Sequence, residues 1–311
     1  MVLISHYLNE IFDVCDTLTV MRDGQVVADQ PVAATNRAAV VTAMVGRQLD
    51  ETRRGRPPVA DAAGVPVLSV EGLAIKGRLH DISFALKPGE VLGITGLAGA
   101  GLGELAKALF GAAESRREAG VVRVAGQIVP NEPAAALAAG MALITGDRRR
   151  EGILPDFNLI ENICLPILPR FARGLGQLDQ RAMEDTAART MARLRVRAPG
   201  PQALAGQLSG GNQQKVVFAK WLETNPRIFI MDEPTIGIDV GSKAEIRAII
   251  DEVAAAGVGV LLVTTELDEL VSLCDRVLVM FRGALIAELV GPEIRREALL
   301  HAAACGEKMA A

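Results

Sequence analysis

At about 150 residues per domain, 311 residues hold one large α/β domain with an additional piece, or two small ones. Half the residues are hydrophobic and 23% are charged, which excludes a disordered chain, and 31 glycines and 15 prolines without a period exclude a collagen-like one. With aromatics at 3% and a net charge of -4, the stacking platforms and basic footprint of a nucleic-acid binder are both missing, so no nucleic-acid partner is expected.

The uncharged runs Val253 to Thr265 and Ala134 to Gly146 fall short of the roughly 18 residues that a membrane span needs. Cysteines 15, 164, 274 and 305 form no CxxC pair and read as structural thiols of a reducing compartment. The first residues lack the order of a signal peptide, which makes the cytosol the default.

In chain order, residues 1 to 28 lie over residues 260 to 287 at a constant offset of 259, with nine identities: Leu3/Leu262, Leu8/Leu267, Glu10/Glu269, Cys15/Cys274, Asp16/Asp275, Val20/Val279, Met21/Met280, Gly24/Gly283 and Ala28/Ala287. Each copy reads as strand, short helix, strand, Gly turn, strand. The second copy ends a domain that begins near Val67, so residues 1–46 are expected to be the end of an earlier domain whose beginning is absent. Residues 47–66, charged and then rich in Pro and Ala, read as a linker. The main domain is then 67–311.

Within it Val67 to Val70, Val91 to Thr95, Val121 to Val124, Met141 to Ile144, Ile228 to Met231, Val258 to Thr264 and Arg276 to Met280 are expected strands. Gly103 to Leu109, Asp179 to Arg195, Gly211 to Leu222 and Ser242 to Ala255 are expected helices. Their alternation predicts a parallel α/β core, with a mostly helical insertion at about 151–206.

Strand Val91 to Thr95 runs into GLAGAGLG, Gly96 to Gly103, and then a helix, the arrangement in which backbone N–H groups cradle phosphate. The P-loop pattern fits at Gly96 and Gly101, with Gly99 between them. It then fails, since Leu102 stands for the lysine and Gly103 for the Mg²⁺-binding hydroxyl; a tight turn is the competing reading. RIFIMDEPT brings Asp232 and Glu233 to the end of a strand, where Asp232 would hold Mg²⁺ through water and Glu233 would orient or deprotonate a water; a polar turn is the alternative. Asp239 in GIDVGSK either caps a helix or signals across a dimer seam. In LSGGNQQK, Ser209, Gly210 and Gly211 at a helix start aim a hydroxyl and bare N–H groups at an anion.

At these residues the chain resembles the ABC transporter ATPases. LSGGNQQK is similar to their signature motif, and DEPTIGIDVGSK to their Walker B carboxylates and D-loop. The fuller string, with KVVFAKWL and AEI, looks like the second nucleotide-binding domain of the tandem importers of ribose, galactose and xylose type. The resemblance covers essentially the whole chain. It implies a P-loop NTPase core of ABC type with a helical insertion, preceded by a remnant of a first ABC domain.

It further implies ATP and Mg²⁺ as ligands, with two ATP sites formed head to tail between cassettes. Ser209, Gly210 and Gly211 would close over ATP held by the first domain or a second copy. His6 matches the switch histidine of that same site, or is a plain solvated or core residue; the repeat puts Thr265 at its place in the second domain. With Leu102, Gly103 and Thr265, the second site reads as degenerate. Asp147 and Arg148, in ITGDRRREG, fall in the family's Q-loop region, although Gly146 departs from the acidic or amide residue usual there; the arginines alternatively form a solvated loop. Ile153, Leu154, Phe157 and Leu159 suit a membrane permease, or pack locally.

The implied function is the energy-coupling subunit of a bacterial sugar importer on the cytoplasmic face of the inner membrane, served indirectly by a periplasmic sugar-binding protein. Turnover by this chain alone stays open. A non-hydrolytic or truncated module that needs a separately encoded partner is the alternative; a soluble ABC ATPase of repair or translation would need a basic surface that is missing here.

Overall fold

Short apolar runs separated by Gly and Pro turns become strands, and longer periodic ones become helices. The computed structural model describes residues 2–4, 8–22, 24–45, 65–114 and 117–306. Helix α1 (Leu8–Val14), the hairpin β1 (Thr17–Arg22) and β2 (Gln25–Pro31), and α2 (Arg37–Val45) open the chain. Then follow β3 (Leu68–Ile75), β4 (Leu79–Leu86), β5 (Val91–Gly96), α3 (Leu102–Phe110), β6 (Ala119–Val124), β7 (Gln127–Ile128), α4 (Pro133–Ala138) and β8 (Met141–Ile144). The next stretch is helical, with α5 (Leu159–Cys164), α6 (Gln180–Arg193) and α7 (Gly210–Leu222). The chain closes with β9 (Ile228–Asp232), α8 (Val240–Ala255), β10 (Gly259–Val263), α9 (Leu267–Leu273), β11 (Arg276–Phe281), β12 (Ala284–Val290) and α10 (Arg296–Cys305).

The central sheet has the order β12-β11-β5-β10-β9-β8 and is parallel from β11 to β8, with β12 antiparallel at its edge. Strands β5, β8, β9 and β10 are buried along their whole length, as expected of strands covered on both faces. The order of the parallel strands is not sequential, so crossovers carry the chain to either face.

One expectation is corrected here. Val67–Val70 and Val121–Val124 do not join the parallel core; they fall in and beside a second, antiparallel sheet of order β4-β3-β6-β7. Strand β4 was not anticipated, because only every third or fourth of its residues is buried, and no apolar run marks it. This second sheet shares an apolar layer with α3: Leu68, Leu73 and Leu86 meet Leu92, Ile94, Leu105 and Leu109. Helix α3 is thereby fixed between two sheets. The larger core, on the other face, joins α5, α7, α8, α9 and α10.

The elements α1, β1, β2 and α2 recur as α9, β11, β12 and α10, each starting at the offset seen in the sequence. Both hairpins carry a register shift at the same place, Val20/Met21 and Val279/Met280. The surroundings differ. Strand β11 pairs with β5 on its second edge, whereas β1 has only β2 among the described residues. Val2, Ile4, Val14 and Met21 are 63–94% exposed, while their counterparts Leu261, Val263, Leu273 and Met280 are at most 4% exposed. Of the strand expected at the start of the first copy, the described residues 2–4 have no regular structure. Most of the expected linker, residues 47–64, and His6 lie outside the described residues.

Candidate functional site

Strand β5 delivers the Gly loop to the C-terminal edge of the central sheet, where α/β folds place ligands. Gly99 at φ +85° and Gly101 at φ +101° take the left-handed conformation, which a side chain would strain. Gly101 leads directly into the nine residues of α3, so unpaired N–H groups of its first turn face the loop. Leu102 is half-buried and packs on the apolar layer beneath α3, instead of reaching over the loop. A Cβ on Gly103 would stand 3.5 Å from Asp232 Oδ2, so position 103 faces the carboxylate with no hydroxyl to offer. Glu104, also in the first turn, is paired with Arg78 at 2.6 Å.

Asp232 ends β9 and is buried. Burial, then the charge of Glu233, push its carboxyl up to about 6, against the Gly146 N–H that donates to it. Glu233 has φ +46°, unusual for a residue with a side chain, and both oxygens of its carboxylate accept hydrogen bonds. Thr265 donates to Oε1 from both its N–H and its hydroxyl, each at 2.8 Å, and the Thr264 hydroxyl lies 3.0 Å from Oε2. Behind them sits Glu269, buried and raised in pKa by that burial, accepting from the Thr235 hydroxyl. The sequence reading missed this backing, although Glu269 is one of the nine identities of the repeat.

Ser209 precedes α7 and is exposed, and its Oγ accepts from Asn212 Nδ2 at 2.9 Å instead of capping the helix. Gly210 is half-buried and Gly211 buried. A Cβ on Gly211 would stand 2.6 Å from Ser242 Cβ, so the start of α7 packs on the start of α8 through a bare glycine. Asp239 caps α8, accepting from Ser242 N at 2.9 Å and Ser242 Oγ at 2.7 Å. Burial raises its carboxyl, but these hydrogen bonds outweigh it and the net shift is downward.

Asp147 caps a five-residue π-turn, Arg148–Gly152, by accepting from Arg150 N at 3.2 Å. Arg149 and Arg150 are exposed, while Arg148 turns inward. Its Nη1 donates to Ile236 O at 2.8 Å and its Nη2 to Gly237 O at 3.1 Å. Glu151 accepts from Lys107 of α3 at 2.6 Å, and the Gly152 carbonyl accepts from Lys220 of α7. The π-turn is thus tied to three elements that surround the two glycine motifs.

In the helical insertion, Ile153 and Leu159 are buried in the core, so of the two alternatives for the leading loop these two residues follow local packing and are not available to a partner. Leu154 and Phe157 are exposed, and with Leu165 and Leu178 they rim a cavity of about 290 Å³. Asn162, fully buried, fastens this loop: its Nδ2 donates to the carbonyls of Leu154, Phe157 and Asn158, and its Oδ1 accepts from Leu154 N. No apolar pattern marked it in the sequence.

A family model described as ABC transporter matches residues 79–236, from the start of β4 to the turn after Asp232. Among curated relatives, the ribose import ATP-binding protein RbsA of Burkholderia mallei is 45% identical over 94% of this chain and 58% of its own length. The xylose import ATP-binding protein XylG of Paraburkholderia xenovorans is 41% identical over 97% of this chain and 59% of its own. The chain therefore spans somewhat less than three-fifths of the length of these relatives. Among solved structures, the ADP conformation of MJ1267, an ATP-binding cassette of an ABC transporter, is 25% identical with a TM-score of 0.63, covering 76% of this chain and 95% of that one. A dimeric post-hydrolysis cassette, MJ0796 bound to ADP and Pi, shares the fold at 19% identity and a TM-score of 0.61, over 72% and 98%. The matched segment holds the Gly loop, the Ser209–Gly211 turn and the Asp232–Glu233 pair within one fold, and the chain belongs to the ABC transporter family.

Proposed function

We propose that this chain is an energy-coupling part of a bacterial sugar importer, which lends its Ser209–Gly211 signature to an ATP site held by a partner cassette. The observation that carries this reading is a contrast within one chain. The signature turn is open, with Ser209 exposed and both glycines held against α8 and Arg148, whereas the chain's own phosphate loop has Leu102 half-buried against the apolar layer and Gly103 facing Asp232. Loss of a charge-assisted hydrogen bond to phosphate costs about 1.5–3 kcal/mol, or ten- to a hundredfold in affinity. The chain's own site is degenerate in this sense. The importer function is carried over from the ribose and xylose relatives.

The residues around Asp232 do not supply the two-point grip on Mg²⁺ that P-loop enzymes use. Gly103 and Gly146 flank the carboxylate without a side-chain oxygen, Glu233 is engaged by Thr264 and Thr265, and no group of three His, Cys, Asp or Glu residues suited to a metal occurs among the described residues. What remains for ATP is the backbone cradle of Gly96, Gly99 and Gly101.

Residues 1–46 are read as the closing segment of a first cassette, 47–66 as linker and 67–311 as the second cassette. The recurrent elements, and the exposure of Val2, Ile4, Val14 and Met21 where their counterparts are buried, support this division. The partner is that first cassette or, failing it, a second copy of this chain. A membrane permease would dock at the rim of Leu154, Phe157, Leu165 and Leu178, with a periplasmic sugar-binding protein acting through it. No helix among the described residues is long and apolar enough to cross a membrane, and a peripheral position on the cytoplasmic face fits the role.

The test is steady-state Mg²⁺-ATP turnover of the chain alone, of a first cassette of the relatives' type alone, and of the two mixed. Turnover that rises only in the mixture is expected. Turnover by the chain alone that Glu233→Gln abolishes would overturn the degenerate-site reading.

A further inference from the structure

The π-turn Arg148–Gly152 has no catalytic group of its own, yet three cationic side chains fasten it, and Arg148 makes the most pointed of these contacts. Its two terminal nitrogens reach successive carbonyls, Ile236 at 2.8 Å and Gly237 at 3.1 Å, in the turn that leads from Glu233 to the cap of α8. A planar fork suits two neighbouring carbonyls, which a single ammonium cannot match. On its other side the guanidinium lies against Gly210: a Cβ there would come within 2.7 Å of Nη2. One side chain therefore touches both the turn after the carboxylate pair and the signature turn.

The remaining clamps act on the same segment from either side. Lys107 ties Glu151 to the helix behind the phosphate loop, and Lys220 ties Gly152 to the signature helix. Gly146, two residues before Arg148, is hydrogen-bonded to Asp232. A displacement at Asp232 therefore reaches Arg148 through one hydrogen bond and two residues of backbone, and through Arg148 reaches Gly210 and Gly237.

We propose that Arg148 is a positioning residue which holds the Ile236–Gly237 turn and the Ser209–Gly211 turn in fixed register, so that the signature meets the partner cassette's nucleotide already ordered. The part concerning the partner rests on the signature-lending reading; the part concerning register does not. Arg148 touches no nucleotide in this scheme and acts through Gly210 and Gly237.

Amide hydrogen exchange of the whole chain tests the register by itself. In Arg148→Ala, the hydrogen-bonded amides of the two turns, Gln213 (to Ser209 O), Ile236 (to Glu233 O), Ser242 (to Asp239 Oδ1) and Lys243 (to Asp239 O), should exchange about tenfold faster, the effect of about 1.4 kcal/mol of lost hydrogen bonding, while those of β9 and α6 stay as in wild type. Unchanged exchange in both turns would overturn the proposal, as would acceleration spread evenly over the chain. Turnover of the mixture with a first cassette then tests the consequence. Arg148→Ala should lose about tenfold, Arg148→Lys should keep an intermediate value because it retains the charge and one donor nitrogen but not the planar fork, and millimolar guanidinium should restore part of the alanine variant's loss. Equal turnover of wild type and Arg148→Ala would overturn the functional part. A wild-type mixture without turnover, beside accelerated exchange confined to the two turns, would sink the signature-lending reading and leave the register standing.

Discussion

Thr265 grips Glu233 twice: its backbone N–H and its hydroxyl both donate to Oε1 at 2.8 Å. In the repeat, Thr265 occupies the place that His6 has in the first copy. On the proposed reading, in which 265 is the switch position, Thr265 thus restrains the carboxylate that would serve as base. A water at Oε1 would have to compete with two donors, one of them fixed in the backbone. Glu233→Gln in the mixture with a first cassette is expected to change turnover by less than about threefold, far below the 10²–10⁴ that a positioned base contributes. Steady-state ATP hydrolysis measures this, and a collapse to background would mean that Glu233 works as a base in spite of Thr265.

Position 103 makes the metal question testable by gain of function. Its backbone does not require glycine, since its φ is not among the positive ones, and a side chain there would point at Asp232 from 3.5 Å. Gly103→Ser should therefore place a hydroxyl beside the carboxylate and make the affinity for a fluorescent ATP analogue depend on Mg²⁺. Adding Leu102→Lys should tighten binding by about ten- to a hundredfold, at the cost of the Leu102 packing. Titrations with and without a chelator measure both effects. Equal affinities in the two conditions for Gly103→Ser would show that more than this hydroxyl is missing.

The motifs were legible because each is local: a strand, a glycine turn and a helix start within a dozen residues. The repeat foresaw the positions of α9, β11 and β12 for the same reason, as an offset is visible without a fold. The second sheet was not legible, since β4 alternates irregularly and is paired with β3 by contacts that no single segment encodes. The engagement of Glu233 by Thr264 and Thr265 was hidden as well; it joins residues 31 and 32 positions apart, through the adjacency of β9 and β10. The resemblance picks out Arg148 with Asp147 in the Q-loop region but leaves a solvated loop open for all three arginines, and only tertiary structure separates the inward Arg148 from the exposed Arg149 and Arg150.

Gly211 should tolerate no side chain. The start of α8 lies so close that even a methyl group would meet Ser242 Cβ at 2.6 Å and its hydroxyl nearer still. Gly211→Ala must push α8 away from α7 and disturb the Asp239–Ser242 cap, with an expected loss of about 1–3 kcal/mol, the usual cost of overpacking. Urea denaturation measures the loss. Gly200, with open space around its Cβ position, is the control: Gly200→Ala should stay within about 0.5 kcal/mol of wild type.

The rim proposed to dock a permease can be separated from the core beneath it by two nearby residues. Phe157 is 47% exposed and Ile153 only 3%. Phe157→Asp should leave the melting curve within about 0.5 kcal/mol of wild type and abolish association with vesicles that hold the permease. Ile153→Asp should instead unfold the insertion, because it buries an unpaired charge. Co-sedimentation with permease vesicles, beside thermal melts, measures both. Undiminished binding by Phe157→Asp would place the permease elsewhere.

Lys220 predicts a pH dependence of stability with a definite sign. Burial lowers its ammonium from 10.5 to about 8, while its nitrogen donates to the Gly152 carbonyl. Below about pH 8 both folded and unfolded chains carry the proton, and the fold bears the full cost of a buried charge, about 3 kcal/mol for a shift of this size. Between about 8 and 10.5 the unfolded chain binds more protons than the folded one, so the contribution of this residue rises with pH. Lys220→Met removes the titration and also leaves Gly152 without its donor, a loss that does not vary with pH. The difference in unfolding free energy, wild type minus Lys220→Met, should therefore grow by about 3 kcal/mol from pH 7 to pH 10.5. Urea titrations at a series of pH values measure this difference. A flat profile would mean that the ammonium reaches water at neutral pH, and that the tie between α7 and the π-turn is looser than a buried hydrogen bond.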